Sequence, residues 1–325
     1  METVSGVSSW KLTVRRDAAG ITVLRAVTCD EDAVLPEALW GLPLTALGDH
    51  ALAPGAGAVP GEEMLVSCGP AAPDAEWDNR SLRRLTLPAS LERVGDYALF
   101  NCVGLEALYL WDGVEYWGGG AIMNCRRLDR FRVNCTGREG ALLAYLAGEL
   151  PGELDVTLRR NGETAARLIF PEYVEVYEEN CPAHHFDYNI RGAGYGYHHC
   201  LYQRKLDLKA YDGLWRSMLA MEHDGGCALR LAWWRLRYPE ELGEGAAADY
   251  RTYLRDHGPE ALRYLLSLGD PSGLRLLLDE ISPDRETLSA ACALAREEEN
   301  AAALAVLLEE RHRRFPAGAE RDFAL

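Results

Sequence analysis

A cluster of histidine and cysteine residues between positions 181 and 200 is the part of this sequence best suited to chemistry. Imidazole nitrogen and thiolate sulfur are ligands that zinc prefers in proteins. Neighbouring histidines on a strand point to opposite faces, however, and the spacing matches no known zinc motif. The sequence therefore predicts partly exposed strand histidines and no bound metal, with a metal-dependent module as an alternative. The candidate ligands are Cys181, His184, His185, His198, His199 and Cys200.

Other catalytic constellations are missing from the sequence. The glycine-rich run "RGAGYG", residues 191–196, lacks the following helix and the lysine that phosphate-binding loops need, so it is interpreted as a glycine-rich turn. The chain contains no G-x-S-x-G, HExxH, P-loop or Rossmann motif. We therefore expect a protein that is not an enzyme and that uses no cofactor.

Charge and composition restrict the partners and the compartment. The 325 residues carry a formal net charge of -16, which repels nucleic acid and anionic lipid, so neither is an expected partner. No stretch reaches the roughly 18 apolar residues of a membrane span, and the first residues lack the apolar core of a secretory signal. The nine cysteines are an odd number without a CxxC pair, which favours reduced thiols in a cytoplasmic protein.

A 23-residue repeat organises the first half of the chain. Leu82, Leu105 and Leu128 define its period, and four further pairs of residues share the same spacing. These pairs are Gly95 and Gly118, Ala98 and Ala121, Asn101 and Asn124, and Cys102 and Cys125. A fixed period of roughly 20 to 30 residues that begins with leucines indicates a solenoid, in which each unit is one strand and a return segment.

Physical roles can be assigned within each unit. In "LRRLTLP" and "LEALYLW", leucines alternate with other residues, which predicts short strands with one face in the core. We expect Gly95 and Gly118 to adopt positive φ in turns. Ala98 and Ala121 are expected where the coil passes close to itself, and the recurrent cysteines are expected in the interior.

Weaker copies flank these units. The stretch 35–53 precedes them, and its Gly48 lies two periods and one further position before Gly95. The extra segment, 54–79, is rich in Gly, Pro and Ala. We interpret it as an insertion that loops from one coil and contains one strand at "EEMLVSC". A later copy is suggested by "LIFPEYVEVYEENC", residues 168–181.

The pattern L-x-x-L-x-L-P, followed by V/I-G-x-x-A-L/F-x-x-C-x-x-L, resembles the BspA-like leucine-rich repeat family of bacterial and some protist proteins. The opening stretches "WKLTV", "ITVLRAV" and "LPEALWGLPLTALGDHAL" are similar to the usual start of such arrays. The resemblance covers residues 10–135, with an extension towards 181. It implies a right-handed, curved β-solenoid used for binding, in a bacterial protein. Some members are surface adhesins, so an adhesin is an alternative that requires an export route the sequence does not display.

Three segments are expected, and together they give an α/β fold class. Residues 1–150 form the short leucine-rich-repeat β-solenoid with its Gly/Pro-rich insertion. Residues 151–205 form a β-rich cap, because an open strand edge invites aggregation. Residues 206–325 form an α-helical domain of helical hairpins, since their apolar residues recur three and four positions apart.

Chemical signals mark the helix boundaries in the last segment. Gly269, Asp270 and Pro271 indicate one helix end and the next helix start, and Ser282 with Pro283 repeats the start signal. The last two helices are expected near 283–297 and 300–313. This segment resembles degenerate ankyrin-type helical hairpins, although it lacks their T-P-L-H motif.

The function expected from these observations is non-catalytic protein binding, with a protein partner of unknown identity. Trp111 follows Leu110 in its strand and therefore points to the opposite face, away from the core. Four residues are expected to line this exposed surface and to bind the partner: Arg84, Glu106, Tyr109 and Trp111.

Overall fold

The chain is a mixed α/β protein with two compact units, Met1–Tyr211 and Asp212–Leu325. The finer division of the first unit at residue 150 stays a prediction. Within the described residues, no helix is long and apolar enough to cross a membrane. The computed structural model describes residues 2–69, 77–180, 185–201, 204–221 and 225–316.

Two sheets and a separate two-stranded ribbon make up most of the first unit. The strands are β1 (Glu2–Ser5), β2 (Trp10–Arg16), β3 (Ile21–Thr28), β4 (Asp32–Val34), β5 (Ala38–Leu39), β6 (Leu42–Leu47), β7 (Glu62–Ser67), β8 (Arg84–Thr86), β9 (Arg93–Val94), β10 (Ala107–Trp111), β11 (Tyr116–Trp117), β12 (Arg130–Asn134), β13 (Leu154–Arg160), β14 (Glu163–Phe170), β15 (Val174–Asn180) and β16 (His185–Arg191). The first sheet has the order β1-β7-β2-β3-β6-β9-β11, and β5 pairs with β6. The second sheet has the order β14-β13-β12-β10-β8-β4, and β15 pairs with β16 alone.

The 23-residue repeat sets the register among β8, β10 and β12 of the second sheet and between β9 and β11 of the first. In the second sheet, Ala107 pairs with Arg84 on one side and with Arg130 on the other, all in parallel strands. In the first sheet, Arg93 pairs with Tyr116, which again lies one repeat later in the sequence. Equivalent positions of successive repeats are therefore direct neighbours, one strand apart.

The leucines of the repeat form the core of this unit. Leu85, Leu108 and Phe131 occupy one register row of the second sheet and are at most 2% exposed. Within each strand, the residues directly before and after these positions point to the opposite face, which gives the predicted alternation. The burial of Cys102 and Cys125 confirms that the recurrent cysteines belong to the interior.

The recurrent glycines have a different role from the predicted one. Neither Gly95 nor Gly118 has a positive φ; that conformation is found instead at residues such as Asn101 and Asn124, with φ 62° each. A Cβ on Gly95 would lie 2.5 Å from the carbonyl carbon of Gly48, and a Cβ on Gly118 would lie 2.4 Å from that of Gly95. Glycine is therefore required because the backbones of successive repeats touch.

The insertion at 54–79 contributes more than a loop. Its predicted strand is β7, which lies between β1 and β2 in the first sheet, parallel to β1 and antiparallel to β2. The strand predicted within the insertion is therefore confirmed at residues 62–67, and it is an internal strand of the first sheet. Residues 70–76 lie outside the described part of the chain.

The parallel stack of the second sheet ends at β14. β13 continues the parallel stack beside β12, but β14 returns antiparallel to β13. The stretch that begins at Leu168 therefore belongs to a hairpin, so the later repeat copy expected at 168–181 is wrong. The helix α1 (Glu139–Glu149) follows β12 and precedes β13 in the chain.

Helices form the second unit and the junction that precedes it. The helices after α1 are α2 (Gly194–His199), α3 (Leu208–Gly213), α4 (Trp215–Met221), α5 (Gly226–Arg237), α6 (Glu244–Asp256), α7 (Gly258–Leu268), α8 (Pro271–Ile281), α9 (Arg285–Glu297) and α10 (Ala301–Arg314). Consecutive helices pack as pairs, α5 with α6, α7 with α8 and α9 with α10. The even-numbered helices α6, α8 and α10 also stack on one another, which gives an array of helical hairpins.

Local signals account for helix boundaries towards the end of the second unit. Gly269 ends α7 with a φ of 63°, and the Asp270 side chain accepts a hydrogen bond from the Ser272 amide at the start of α8, as predicted. The next boundary differs from the prediction. Ser282 ends α8 in a left-handed conformation, and Asp284 is the residue that caps α9.

A buried ion pair within the second unit joins Asp212, its first residue, to α5 and α6. Arg235 of α5 is fully buried and donates to both carboxylate oxygens of Asp212, at 2.8 and 2.9 Å. The Tyr250 hydroxyl of α6 donates to the same carboxylate at 2.8 Å, and Arg235 also donates to the Glu240 carbonyl. The charges are thus neutralised and hydrogen-bonded, as burial requires.

We expect Gly118→Ala to lower the free energy of unfolding by about 2 to 3 kcal/mol, because the new Cβ would overlap backbone atoms of the preceding repeat. The adjacent Gly119→Ala is the matched control: a Cβ there meets no atom within 4 Å, so a change below about 0.5 kcal/mol is expected. Equilibrium urea unfolding followed by circular dichroism measures both. Equal effects of the two substitutions would contradict the close-approach explanation.

We expect Asp212→Ala to lower the free energy of opening of the α5 amides by about 3 to 5 kcal/mol, since it leaves Arg235 buried without its carboxylate. Arg275→Ala removes an exposed pair with Glu309 and should cost at most about 1 kcal/mol. Amide hydrogen exchange of the whole protein measures both. Retention of wild-type protection in the Asp212 variant would show that the pair is not structurally important.

Candidate functional site

The outer face of the second sheet is built from register rows of parallel strands. Asp32, Arg84, Arg130 and Asp155 lie in one row near the starts of β4, β8, β12 and β13, and Ala107 of β10 lies between the two arginines. We call these four charged residues the strand-start row. Because the opposite face of the same strands is filled with buried leucines, the row is held on a rigid base.

Every charge in the strand-start row has a partner of opposite charge. Arg84 donates through Nε to Asp32 at 2.6 Å, and this hydrogen bond lowers the pKa of Asp32. Arg130 donates to the Glu106 carboxylate at 2.7 Å. Asp155 accepts from Nε of Arg167 at 2.7 Å. This half of the face is therefore electrically balanced.

The other half of the face combines aromatic and arginine side chains. Tyr109 and Trp111 lie on β10, and their register partners on β12 are Arg132 and Asn134. The Arg132 guanidinium lies 4.4 Å from the centre of the Tyr109 ring, a distance suited to a cation–π contact. Trp111 is 36% exposed, and Arg159 of β13 pairs in register with Asn134. We call Tyr109, Trp111, Arg132 and Arg159 the strand-end patch.

The predicted binding residues occupy different parts of this face. Tyr109 and Trp111 belong to the strand-end patch, whereas Arg84 is engaged with Asp32. Glu106 immediately precedes β10 and accepts from Arg130. Their role in binding stays a prediction.

Sequence reasoning missed two members of the patch, although a signal for one was present. Arg132 follows Tyr109 by one period of the repeat, which places it beside that ring. Arg159 follows Asn134 by one period and two further positions, and this irregular spacing concealed it.

The histidine and cysteine cluster is only partly within the described residues. Cys181 and His184 lie outside them, and for His185 only the backbone position on β16 is described. His198 and His199 lie on α2, so the expectation that they are strand histidines is wrong. The glycine-rich turn expected at 191–196 is present at Gly192, with a φ of 92°, but α2 begins at Gly194.

His198 is buried rather than partly exposed. Its Nδ1 lies 3.0 Å from the Ala147 carbonyl oxygen, and its Nε2 lies 3.0 Å from the Pro171 carbonyl oxygen. Phe170 and Tyr173 cover the ring from the side. Burial lowers the pKa of His198, and the two carbonyls oppose this effect in part. The ring therefore connects α1 to the end of β14 and offers no nitrogen to a metal.

The remaining described members of the cluster are also engaged locally. His199 is exposed, its ring stacks on Tyr195 at 4.1 Å, and its Nδ1 lies 2.7 Å from the Tyr195 carbonyl oxygen. The Cys200 thiol donates to the Tyr197 carbonyl, and burial raises its pKa to about 12. These contacts give His199 and Cys200 structural roles at the C-terminal end of α2.

A different group brings three candidate metal ligands together. Potential ligand atoms of Asp112, Cys135 and Glu139 lie within 4.8 Å of one another. Asp112 follows β10, Cys135 follows β12, and Glu139 is the first residue of α1. The Asp112 carboxylate already accepts from the amides of Thr136 and Arg138, at 2.7 and 2.8 Å, and from the Thr136 hydroxyl at 2.7 Å. Asp112 thereby fixes the loop that leads into α1.

The other two members of this group are poorly prepared for a cation. Burial raises the pKa of Cys135 to about 12, so its sulfur is protonated at neutral pH and is not a metal ligand in that form. Glu139 pairs with Arg160, whose positive charge opposes a metal ion nearby. These three residues could hold a metal only after the thiol is deprotonated.

The class defined by this geometry is a mixed α/β protein with a repeated parallel-strand unit and a helical unit. No protein-family model and no curated protein matches the chain. A solved structure, a leucine-rich repeat protein from T. pallidum, shares 16% identity over 37% of this chain and 68% of its own length, with a TM-score of 0.23. A likeness of this extent does not assign the chain to a family.

We expect His198 to make the protein less stable as the pH falls below about 6.5. Its pKa is lower in the folded state than in the unfolded chain, so the unfolded chain takes up a proton that the folded protein resists. Free energies of unfolding at pH 7.5 and 5.5 should therefore differ less for His198→Gln than for the wild type. His199→Gln, on the same helix but exposed, is the control and should keep the wild-type difference; an unchanged difference in the His198 variant would contradict this role.

Proposed function

We propose that this chain is a non-catalytic protein-binding protein that docks a partner on the outer face of its second sheet. The strand-end patch is the observation that supports this most directly. Tryptophan, tyrosine and arginine are the residues most enriched among binding hot spots, and the patch contains all three. The buried leucines beneath hold these side chains in place before binding, which reduces the entropy lost on association.

We further propose that the first unit is a short leucine-rich-repeat solenoid of the BspA-like type. The in-register parallel strands at 23-residue intervals and the buried leucines and cysteines support this assignment. The array of helical hairpins in the second unit is consistent with a binding scaffold.

A non-catalytic role fits the chemistry of the candidate groups. His198 has both ring nitrogens occupied by backbone carbonyls, and the thiols of Cys135 and Cys200 are kept protonated by burial. A nucleophile or general base needs a free, suitably ionised atom beside a substrate cavity. His198 instead joins α1 to the end of β14, and the two thiols donate to carbonyl groups of their own segments.

We expect Trp111→Ala to weaken partner binding at least tenfold, because removing a central aromatic anchor typically costs about 2 kcal/mol or more. The immobilised full chain is incubated with native cell lysate, and retained proteins are quantified by mass spectrometry for the wild type and the variant. Proteins that the wild type retains and the variant loses are the partners of this face.

Tyr116→Ala provides the matched control for this experiment. Tyr116 is 41% exposed on β11 of the first sheet, and Arg93 lies 3.8 Å from its ring centre, so an equivalent aromatic–arginine contact is removed from another surface. The control should retain the same partners as the wild type. Equal retention by all three proteins, or equal loss from both variants, would overturn the proposed surface.

A further inference from the structure

The strand-end patch differs in charge from the rest of the protein. The chain has 50 acidic and 34 basic residues, so an arginine normally has an acidic neighbour nearby. In and beside the strand-start row this holds for Arg84, Arg130 and Arg167. Among the described residues, by contrast, no acidic side chain pairs with Arg132 or Arg159. The patch is therefore a local positive site on an acidic protein.

Local contacts hold these two guanidinium groups without neutralising them. Arg132 is placed over the Tyr109 ring at 4.4 Å, and Arg159 donates to the carbonyl of Gly162. A ring and a carbonyl position a guanidinium but leave its other N–H donors available. Guanidinium groups of this kind bind carboxylates with charge-assisted, often bidentate, hydrogen bonds.

The spacing of the patch suits one short segment of a partner. Trp111, Asn134 and Arg159 follow one another across β10, β12 and β13, and neighbouring strands are about 4.8 Å apart. An apolar side chain on Trp111 and a carboxylate on Arg159 are thus roughly 10 Å apart, the length of about three extended residues. Arg132 lies between them, towards the strand start.

We propose that the strand-end patch binds an acidic peptide segment of the partner, with carboxylates on Arg132 and Arg159 and an apolar side chain on Trp111. This inference rests on the proposed function and specifies the chemistry of its partner. A protein segment is favoured over a nucleic acid because the net charge of -16 repels a long polyanion, whereas a short acidic segment meets mainly the local positive site.

A random library of 12-residue peptides displayed on phage, selected on the immobilised full chain, tests the inference without knowledge of the partner. We expect the selected peptides to be enriched in Asp and Glu beside an apolar residue. Synthetic copies labelled with fluorescein are then titrated by fluorescence polarisation. Their affinity should fall between 50 and 300 mM NaCl, because screening weakens exposed charge pairs.

Two double variants that remove the same amount of charge distinguish binding at the strand-end patch from the effect of the net charge of the protein. Arg132→Gln with Arg159→Gln should weaken peptide binding at least about tenfold. Arg126→Gln with Arg127→Gln, at exposed positions in the return segment before β12, should change it less than about twofold. Arg132→Lys with Arg159→Lys keeps the charge, and an affinity between those of the wild type and the glutamine variant shows that a folded surface is being measured.

The outcomes distinguish the inference from the proposed function. Selected peptides that lack acidic residues, or that bind the glutamine variant like the wild type, overturn the inference; if Trp111→Ala still abolishes their binding, the proposed docking face stands. Peptides unaffected by every patch variant overturn both. A single-stranded 20-nucleotide DNA that binds more tightly than the peptides, and is lost with Arg132 and Arg159, overturns the acidic-peptide assignment in favour of nucleic acid.

Discussion

The contact between backbones of successive repeats is the constraint on which the first unit depends. Gly95 lies against Gly48 and Gly118 lies against Gly95, at distances that exclude any side chain. This contact fixes the separation of one coil from the next, and the fixed separation brings the strands of successive repeats into register. The register, in turn, aligns leucines in the core and arginines and aromatic residues on the outer face. The placement of Arg132 beside Tyr109 in the strand-end patch is therefore a consequence of close packing between return segments.

Much of this architecture could be predicted from the sequence, because the same residue types recur at equivalent positions of each repeat. The leucine spacing predicted the strands, and the recurrent cysteines were correctly expected in the interior. The role predicted for Gly95 was wrong for a physical reason. Glycine is favoured both where φ is positive and where two backbones approach closely, and residue spacing alone does not distinguish these two requirements. The strand-end patch was found only in part, since Arg159 departs from the period of the repeat.

Where the repeat ends, the sequence becomes less informative. The glycine-rich run around Gly194 was expected to be a turn, yet burial of Tyr197 and His198 makes it one short helix, a tertiary effect that overrides helix propensity. The buried pair of Arg235 and Asp212 was not predicted either. Charged residues are normally exposed. The residues around Asp212 and Arg235 in the sequence do not indicate that these two side chains, on different helices, form a buried pair.

The antiparallel return of β14 limits how this protein could lengthen by duplication. A further repeat unit cannot be appended after β13, because β14 already occupies the hydrogen-bonding edge that the new parallel strand would need. At the opposite edge, the short strand β4 offers little backbone for pairing. Growth by gene duplication must therefore insert a unit inside the array, between strands such as β8 and β10, where both neighbours present a parallel edge. Such an insertion would move Trp111 and Arg84 apart by one strand while leaving the strand-end patch intact.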